Sequence, residues 1–189
     1  LSEAILEFRH ALRIQPDDSE THFNLGLTFK DHGNLDGAIQ SLRQAIRIRP
    51  DFFDAHMGLG LSQKTRGDLE GAIAAYRQAI ALKPDRGSGY YNLGVALFAR
   101  GDLEGASDAF QKAVRLDPGD ADAHANLGLS LKARGDLEGA IQAFRQAVSR
   151  PGPDSLTAEL NLAILKFDRG ERADAMRAFN RFVEYYNAH

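Results

Sequence analysis

The sequence predicts an all-α solenoid of about eleven helices, stacked as helix–turn–helix hairpins. Three observations predict it. First, the segment RGDLEGA is identical at 66–72, 100–106 and 134–140, and the same 34-residue step carries Leu25-Gly26 to Leu59-Gly60, Leu93-Gly94 and Leu127-Gly128. Second, apolar residues within one period fall three and four apart, the spacing of one helix face. Third, glycine and proline stand where helices must stop: Gly33, Gly67, Gly101 and Gly135 mid-period, Pro16, Pro50, Pro84 and Pro118 near its end. A period of this length marks one supersecondary unit repeated against copies of itself. Such stacking presents extended faces rather than a closed cavity, which points to binding.

The elements follow in order. Residues 1–18 supply the second helix of an incomplete repeat, over roughly 2–14, with Ala4, Phe8, Ala11 and Pro16 in step with later repeats. Full repeats follow at 19–52, 53–86, 87–120 and 121–154, and a divergent terminal repeat at 155–189. In the first full repeat, His22, Leu25, Gly26 and Phe29 share one face of a first helix, here called the A helix. Gly33 stops it, because glycine adopts the left-handed conformation that closes helices. Asn34 is positioned to cap the B helix, and Asp36 places a negative charge in its first turn. Leu35, Ala38, Ile39, Leu42, Ala45 and Ile46 form the B-helix stripe, which Pro50 ends. Glycines at 26, 60, 94 and 128 sit mid-helix, where each costs about 1 kcal/mol against alanine. Their recurrence predicts a close helix crossing. Ala38, Ala72, Ala106 and Ala140 lie one turn before Leu42, Tyr76, Phe110 and Phe144, small beside large. In the terminal repeat an extra residue enters at 149–155, Asn161, Leu162, Gly170, Ala175 and Phe179 restore the step, and 171–187 reads as the last helix. Phe182 stands there where other repeats carry alanine.

The 189 residues suffice for a substantial core, charged residues are 26% and the net charge is −3. That balance argues against nucleic acid and acidic membrane surfaces as principal partners. No apolar run approaches the ~20 residues that span a bilayer. With no cysteine there is neither a disulfide framework nor thiolate chemistry.

The repeat resembles the tetratricopeptide repeat, in which Leu-Gly, two alanines, an aromatic and a proline recur at fixed places. His22, His56, Tyr90 and His124 replace its usual tryptophan at position four, and Gln63 replaces an aromatic at position eleven. The resemblance implies a right-handed superhelix whose A helices line a concave groove. At position six it places Asn24, Asn92, Asn126 and Asn161, interrupted by Gly58. Each carboxamide offers a donor and an acceptor, suited to the backbone of an extended peptide. Phe23, Met57, Tyr91 and Leu160, at position five, are expected to meet its side chains. The family's carboxylate clamp needs lysine and asparagine where this chain has apolar residues, so it is not expected.

Two chemical motifs dissolve on inspection. His22, His56 and His124 sit one repeat or more apart, whereas zinc needs ligands converging within ~2 Å, so no metal is expected and the histidines read as stand-ins for a packing aromatic. The tripeptide Arg66-Gly67-Asp68 and its copies fall in interhelical turns, which explain them. No nucleophile–base order or phosphate loop is present, so neither catalysis nor a cofactor is expected. The leading expectation is a non-catalytic scaffold binding an extended peptide segment of a protein partner. A second is self-assembly into oligomers or filaments through the chain's ends, with Leu6 and Phe8 at one and Phe182, Val183 and Tyr186 at the other. A third makes the chain the repeat arm of a larger enzyme or complex.

Overall fold

The computed structural model describes the backbone of residues 3–149 and 153–188, and the side chains of 3–149 and 157–184. Among the described residues there are eleven helices and no strand. In chain order they are α1 (Glu3–Ile14), α2 (Ser19–Asp31), α3 (Leu35–Ile48), α4 (Phe53–Arg66), α5 (Leu69–Leu82), α6 (Gly87–Arg100), α7 (Leu103–Leu116), α8 (Ala121–Arg134), α9 (Leu137–Val148), α10 (Pro153–Asp168) and α11 (Arg172–Ala188). They group into two compact units, Leu1–Arg100 with α1 to α6 and Gly101–His189 with α7 to α11.

The turns use the chemistry expected of them. Asn34, Asp68, Asp102 and Asp136 each accept the amide three residues on, at 2.9–3.0 Å, and so cap α3, α5, α7 and α9. Gly67 closes α4 at φ 91°, in the left-handed region. The Gly71 amide, foremost, holds the Asp68 carboxyl below the usual carboxylate range.

Within the first unit the core alternates Leu42, Ile73 and Tyr76 with Ala38, Ala45, Ala72 and Ala79, all 0–1% exposed. Phe110 and Phe144 occupy the corresponding places in the second unit, beside Ala106 and Ala140. The expected close crossings are present. A Cβ added to Gly60 would lie 2.5 Å from Tyr76 Cε1, one on Gly128 2.7 Å from Phe144 Cε1, and one on Gly26 2.7 Å from Leu42 Cγ. The Tyr76 hydroxyl is buried without a hydrogen-bond partner, and burial pushes its pKa up to about 12.

Two ties between successive hairpins were not expected from the sequence. The imidazole Nε2 of His22, His56 and His124 donates to the carbonyl of Pro16, Pro50 and Pro118, at 2.9, 2.9 and 3.2 Å. The histidines thus hydrogen-bond the turn that follows the preceding B helix as well as packing. Second, the arginine ending an A helix reaches back to the preceding B helix. Arg66 meets Asp36 at 2.9 Å, Arg100 meets Glu70 at 3.0 Å and Arg169 meets Glu138 at 2.6 Å, while Arg134 donates to Ser107 Oγ. Exposed pairs of this kind contribute about 0–1 kcal/mol each. Their recurrence nonetheless occupies the arginine, glycine and aspartate of the repeated RGD tripeptide in structural roles.

Candidate functional site: the A-helix faces and the terminal cavity

In the first unit the A helices α2, α4 and α6 adjoin in succession. Asn24 on α2 is exposed, and Asn92 on α6 is half-buried. The Asn92 Nδ2 donates to Ser88 O at 2.9 Å, one turn back. One amide hydrogen is thereby fixed, which orients the carboxamide and leaves its oxygen as an acceptor. Gly58 on α4 interrupts the series for a steric reason. A Cβ there would sit 3.2 Å from Leu42 Cδ2 and 3.5 Å from Leu27 Cδ2, so those leucines fill the room an asparagine needs.

The position-five residues of this unit are only partly available. Phe23, Met57 and Tyr91 are half-buried. Phe23 packs on Phe52, ring centroids 4.9 Å apart, and the Arg49 guanidinium carbon lies 3.3 Å from the Phe52 centroid. Arg49 is held in turn by Glu20 at 2.7 Å. Phe23 therefore belongs as much to the join between hairpins as to an open face. Phe98, 37% exposed on α6, is more open.

In the second unit α8 and α10 adjoin. Asn126 and Asn161, both half-buried, repeat the Asn92 arrangement, their Nδ2 atoms donating to Asp122 O and Thr157 O at 2.9 Å. Lys132 Nζ donates to Asn161 Oδ1 at 3.3 Å, linking the two helices. Leu160, half-buried on α10, lines an open cavity of about 270 Å³ with Ala163, Ile164, Phe167, Ala175, Met176 and Phe179 of α10 and α11. Phe167 and Met176 are 56% and 55% exposed, and Phe179 is 45% exposed. At the positions equivalent to Phe179, Tyr76 and Phe144 are fully covered. An apolar end is thus left open.

The residues expected to associate at the ends divide differently. Leu6 is 52% exposed on α1. Phe8 is half-buried against Ile5, Leu25, Phe29 and Ala38. Phe182 and Val183 are half-buried, Phe182 lying against Phe179 with ring centroids 6.3 Å apart. The Tyr186 side chain lies outside the described residues. Among the described residues no group of three or more His, Cys, Asp or Glu could hold a metal, and no helix is long and apolar enough to cross a membrane.

Stacked hairpins with small-to-large packing and open A-helix faces define an α-helical repeat protein. Family matches described as tetratricopeptide repeat fall at residues 1–51, 23–87, 57–121, 91–156 and 157–186. The chain belongs to the tetratricopeptide repeat family, whose members serve as protein-interaction scaffolds. No curated protein matches it in sequence. Solved structures that it is similar to include MamA, at 27% identity and a TM-score of 0.81, covering 87% of this chain and 95% of that one. PilF of Pseudomonas aeruginosa is similar at 25% identity and a TM-score of 0.76, over 88% of this chain and 75% of that one. YrrB, described as a TPR protein with an unusual peptide-binding site, is similar at 20% identity and a TM-score of 0.78, over 96% of this chain and 93% of that one, a likeness of fold.

Proposed function

We propose that the A-helix face of each unit binds an extended segment of a partner polypeptide, without catalysis. The observation that carries this reading is the arrangement shared by Asn92, Asn126 and Asn161, each with one amide hydrogen tied to its own helix. A carboxamide oriented in advance loses less rotamer freedom on binding, so it meets a peptide backbone at lower cost. Asn24 adds an exposed carboxamide on α2. Phe23, Met57, Tyr91 and Leu160 border these positions and supply apolar contact at their uncovered edges. The test is a displayed peptide library selected on the intact chain, followed by affinity measurement of the selected peptides. Asn92→Ala combined with Asn126→Ala is expected to weaken them about tenfold or more, two lost hydrogen bonds at about 0.5–1.5 kcal/mol each. Unchanged affinity for every selected peptide would remove the reading.

A second reading rests on the open end of α10 and α11. Its apolar cavity suits association with another copy of the chain, with Leu6 as a lesser apolar point on α1. Light scattering over rising concentration is expected to show growing mass, abolished by Phe167→Glu with Phe179→Glu. A constant monomer mass would reject self-association.

A further inference from the structure

The exposed faces of the B helices carry a second surface, unlike the A-helix faces. Arg9, Arg43 and Arg77 recur at the 34-residue step on α1, α3 and α5, all within the first unit and all exposed. Among the described residues none of the three makes an ion pair or hydrogen bond, although the Arg9 guanidinium carbon lies 5.7 Å from the Phe29 ring centroid. The arginines that end the A helices behave oppositely: Arg66, Arg100 and Arg169 are matched to carboxylates. The neighbouring acids do not neutralise the stripe. On α3 and α5 the only carboxylates are Asp36 and Glu70, in the first turns, and these are the ones engaged by Arg66 and Arg100. Glu3 and Glu7 accompany Arg9 on α1, and Asp17 stands 4.0 Å from Arg47 on α3. Beyond their first turns α3 and α5 bear positive charge alone, in a chain of net charge −3.

A groove of about 390 Å³ lies between these two helices, walled by Arg43 and Ile46 of α3 and Ala74 and Gln78 of α5, with His56 and Gln63 of α4 in its lining. Gln63 is 4% exposed. Its Nε2 donates to Asp68 Oδ2 at 3.1 Å, and its Oε1 is a buried acceptor with no partner. The second unit has a groove at the same place in the repeat, of about 480 Å³, and there the chemistry changes. Gln111 stands where Arg43 does, Leu131 where Gln63 does, and both Asp136 and Arg145 line the groove. The unbalanced positive charge and the unpaired acceptor therefore coincide in the first unit only.

We propose that the B-helix groove and arginine stripe of the first unit form a docking surface for an acidic polypeptide segment, its carboxylates on Arg9, Arg43 and Arg77. Guanidinium groups match carboxylates in charge and planar geometry. The chain's net charge of −3 disfavours the continuous phosphate charge of nucleic acid, which leaves an acidic polypeptide as the occupant.

Fluorescence anisotropy with a labelled deca-glutamate peptide tests this on the intact chain. Extended, ten residues reach up to about 33 Å, enough to meet more than one of these helices. Binding is expected for deca-glutamate and not for deca-glutamine, and it should weaken as ionic strength rises from about 0.02 M to about 0.3 M. Arg9→Gln, Arg43→Gln and Arg77→Gln together should lower affinity about tenfold or more, with an unchanged circular dichroism spectrum and melting temperature. Gln63→Leu, which installs the residue natural to the other groove and leaves the arginines in place, should leave the peptide's affinity unchanged. Arg145→Gln should leave it unchanged, as should Asn92→Ala with Asn126→Ala, so failure here is separate from failure of the A-face reading. The proposal is overturned if the triple variant binds like the parent, or if Arg145→Gln weakens binding equally. Tighter binding of duplex DNA or phosphatidylserine vesicles than of deca-glutamate overturns the choice of occupant.

Discussion

Replacing Phe144 with alanine should cost the second unit about 3–5 kcal/mol, as measured by thermal or urea unfolding. The side chain is 0% exposed and lies among Ala140, Ile141, Ala147, Ala158, Leu162 and Leu165. Three of those neighbours are alanines. An alanine has no rotamer that can swing into vacated space, so the site cannot collapse and most of the cavity remains. The α8–α9 crossing, where the ring packs on Gly128, loses its filling as well. Hydrogen exchange of the α8 and α9 amides localises the effect, because a stack of repeats unfolds by neighbouring pieces rather than strictly as one body. Phe179 supplies an internal control. It holds the equivalent place in the last hairpin, yet it is 45% exposed. Phe179→Ala should lose much less, since solvent already meets nearly half of the ring. Equal losses at 144 and 179 would contradict the assigned burial.

What was legible beforehand was whatever depends on residues near each other in one hairpin. The cap at Asn34, the stops at Gly33 and Gly67 and the crossings at Gly26, Gly60 and Gly128 all follow from local conformational preference or spacing along one helix pair. The ties between hairpins were less legible. His56 read as a substitute for an aromatic, but its bond to Pro50 O depends on how the chain enters α4. Arg66 read as turn chemistry, and its carboxylate is Asp36, 30 residues back rather than one full period. A repeat period states which residues are equivalent. It does not state which side chains meet across the join. The candidate faces show the same division. The asparagines at position six were visible in the pattern, whereas the bond from each amide to the carbonyl one turn back required the helix geometry. Phe23 appeared as a surface residue because nothing in its own helix indicates Phe52 above it. The open cavity at α10 and α11 was only half visible. Phe182 in place of an alanine announced a change, but Phe167, Met176 and Phe179 carry most of the exposure.

The second large effect belongs to Gly128. Gly128→Val should destabilise the second unit by about 2–3 kcal/mol, although valine has a better helix propensity than glycine by a few tenths of a kcal/mol. The added Cβ would lie 2.7, 2.8 and 2.9 Å from Phe144 Cε1, Cδ1 and Cζ, and valine places two further carbons beyond it. A fully buried ring cannot yield as an exposed side chain would, so α8 and α9 must separate. The partner identity gives a sharper test than the loss alone. In the Phe144→Ala background the same valine enters the volume left by the ring, and its cost should vanish or reverse. The double-mutant cycle is therefore expected to show a favourable coupling of about 1–3 kcal/mol, against near-additivity for Gly128→Val paired with a distant Phe179→Ala. Additive losses at 128 and 144 would mean the glycine is present for some reason other than the crossing. The same variant also probes function. Gly128 lies two residues beyond Asn126 on α8, so moving that helix shifts the carboxamide relative to Asn161 on α10. Peptides that depend on Asn126 should lose affinity for Gly128→Val and recover it in the double variant, with every proposed contact residue still present.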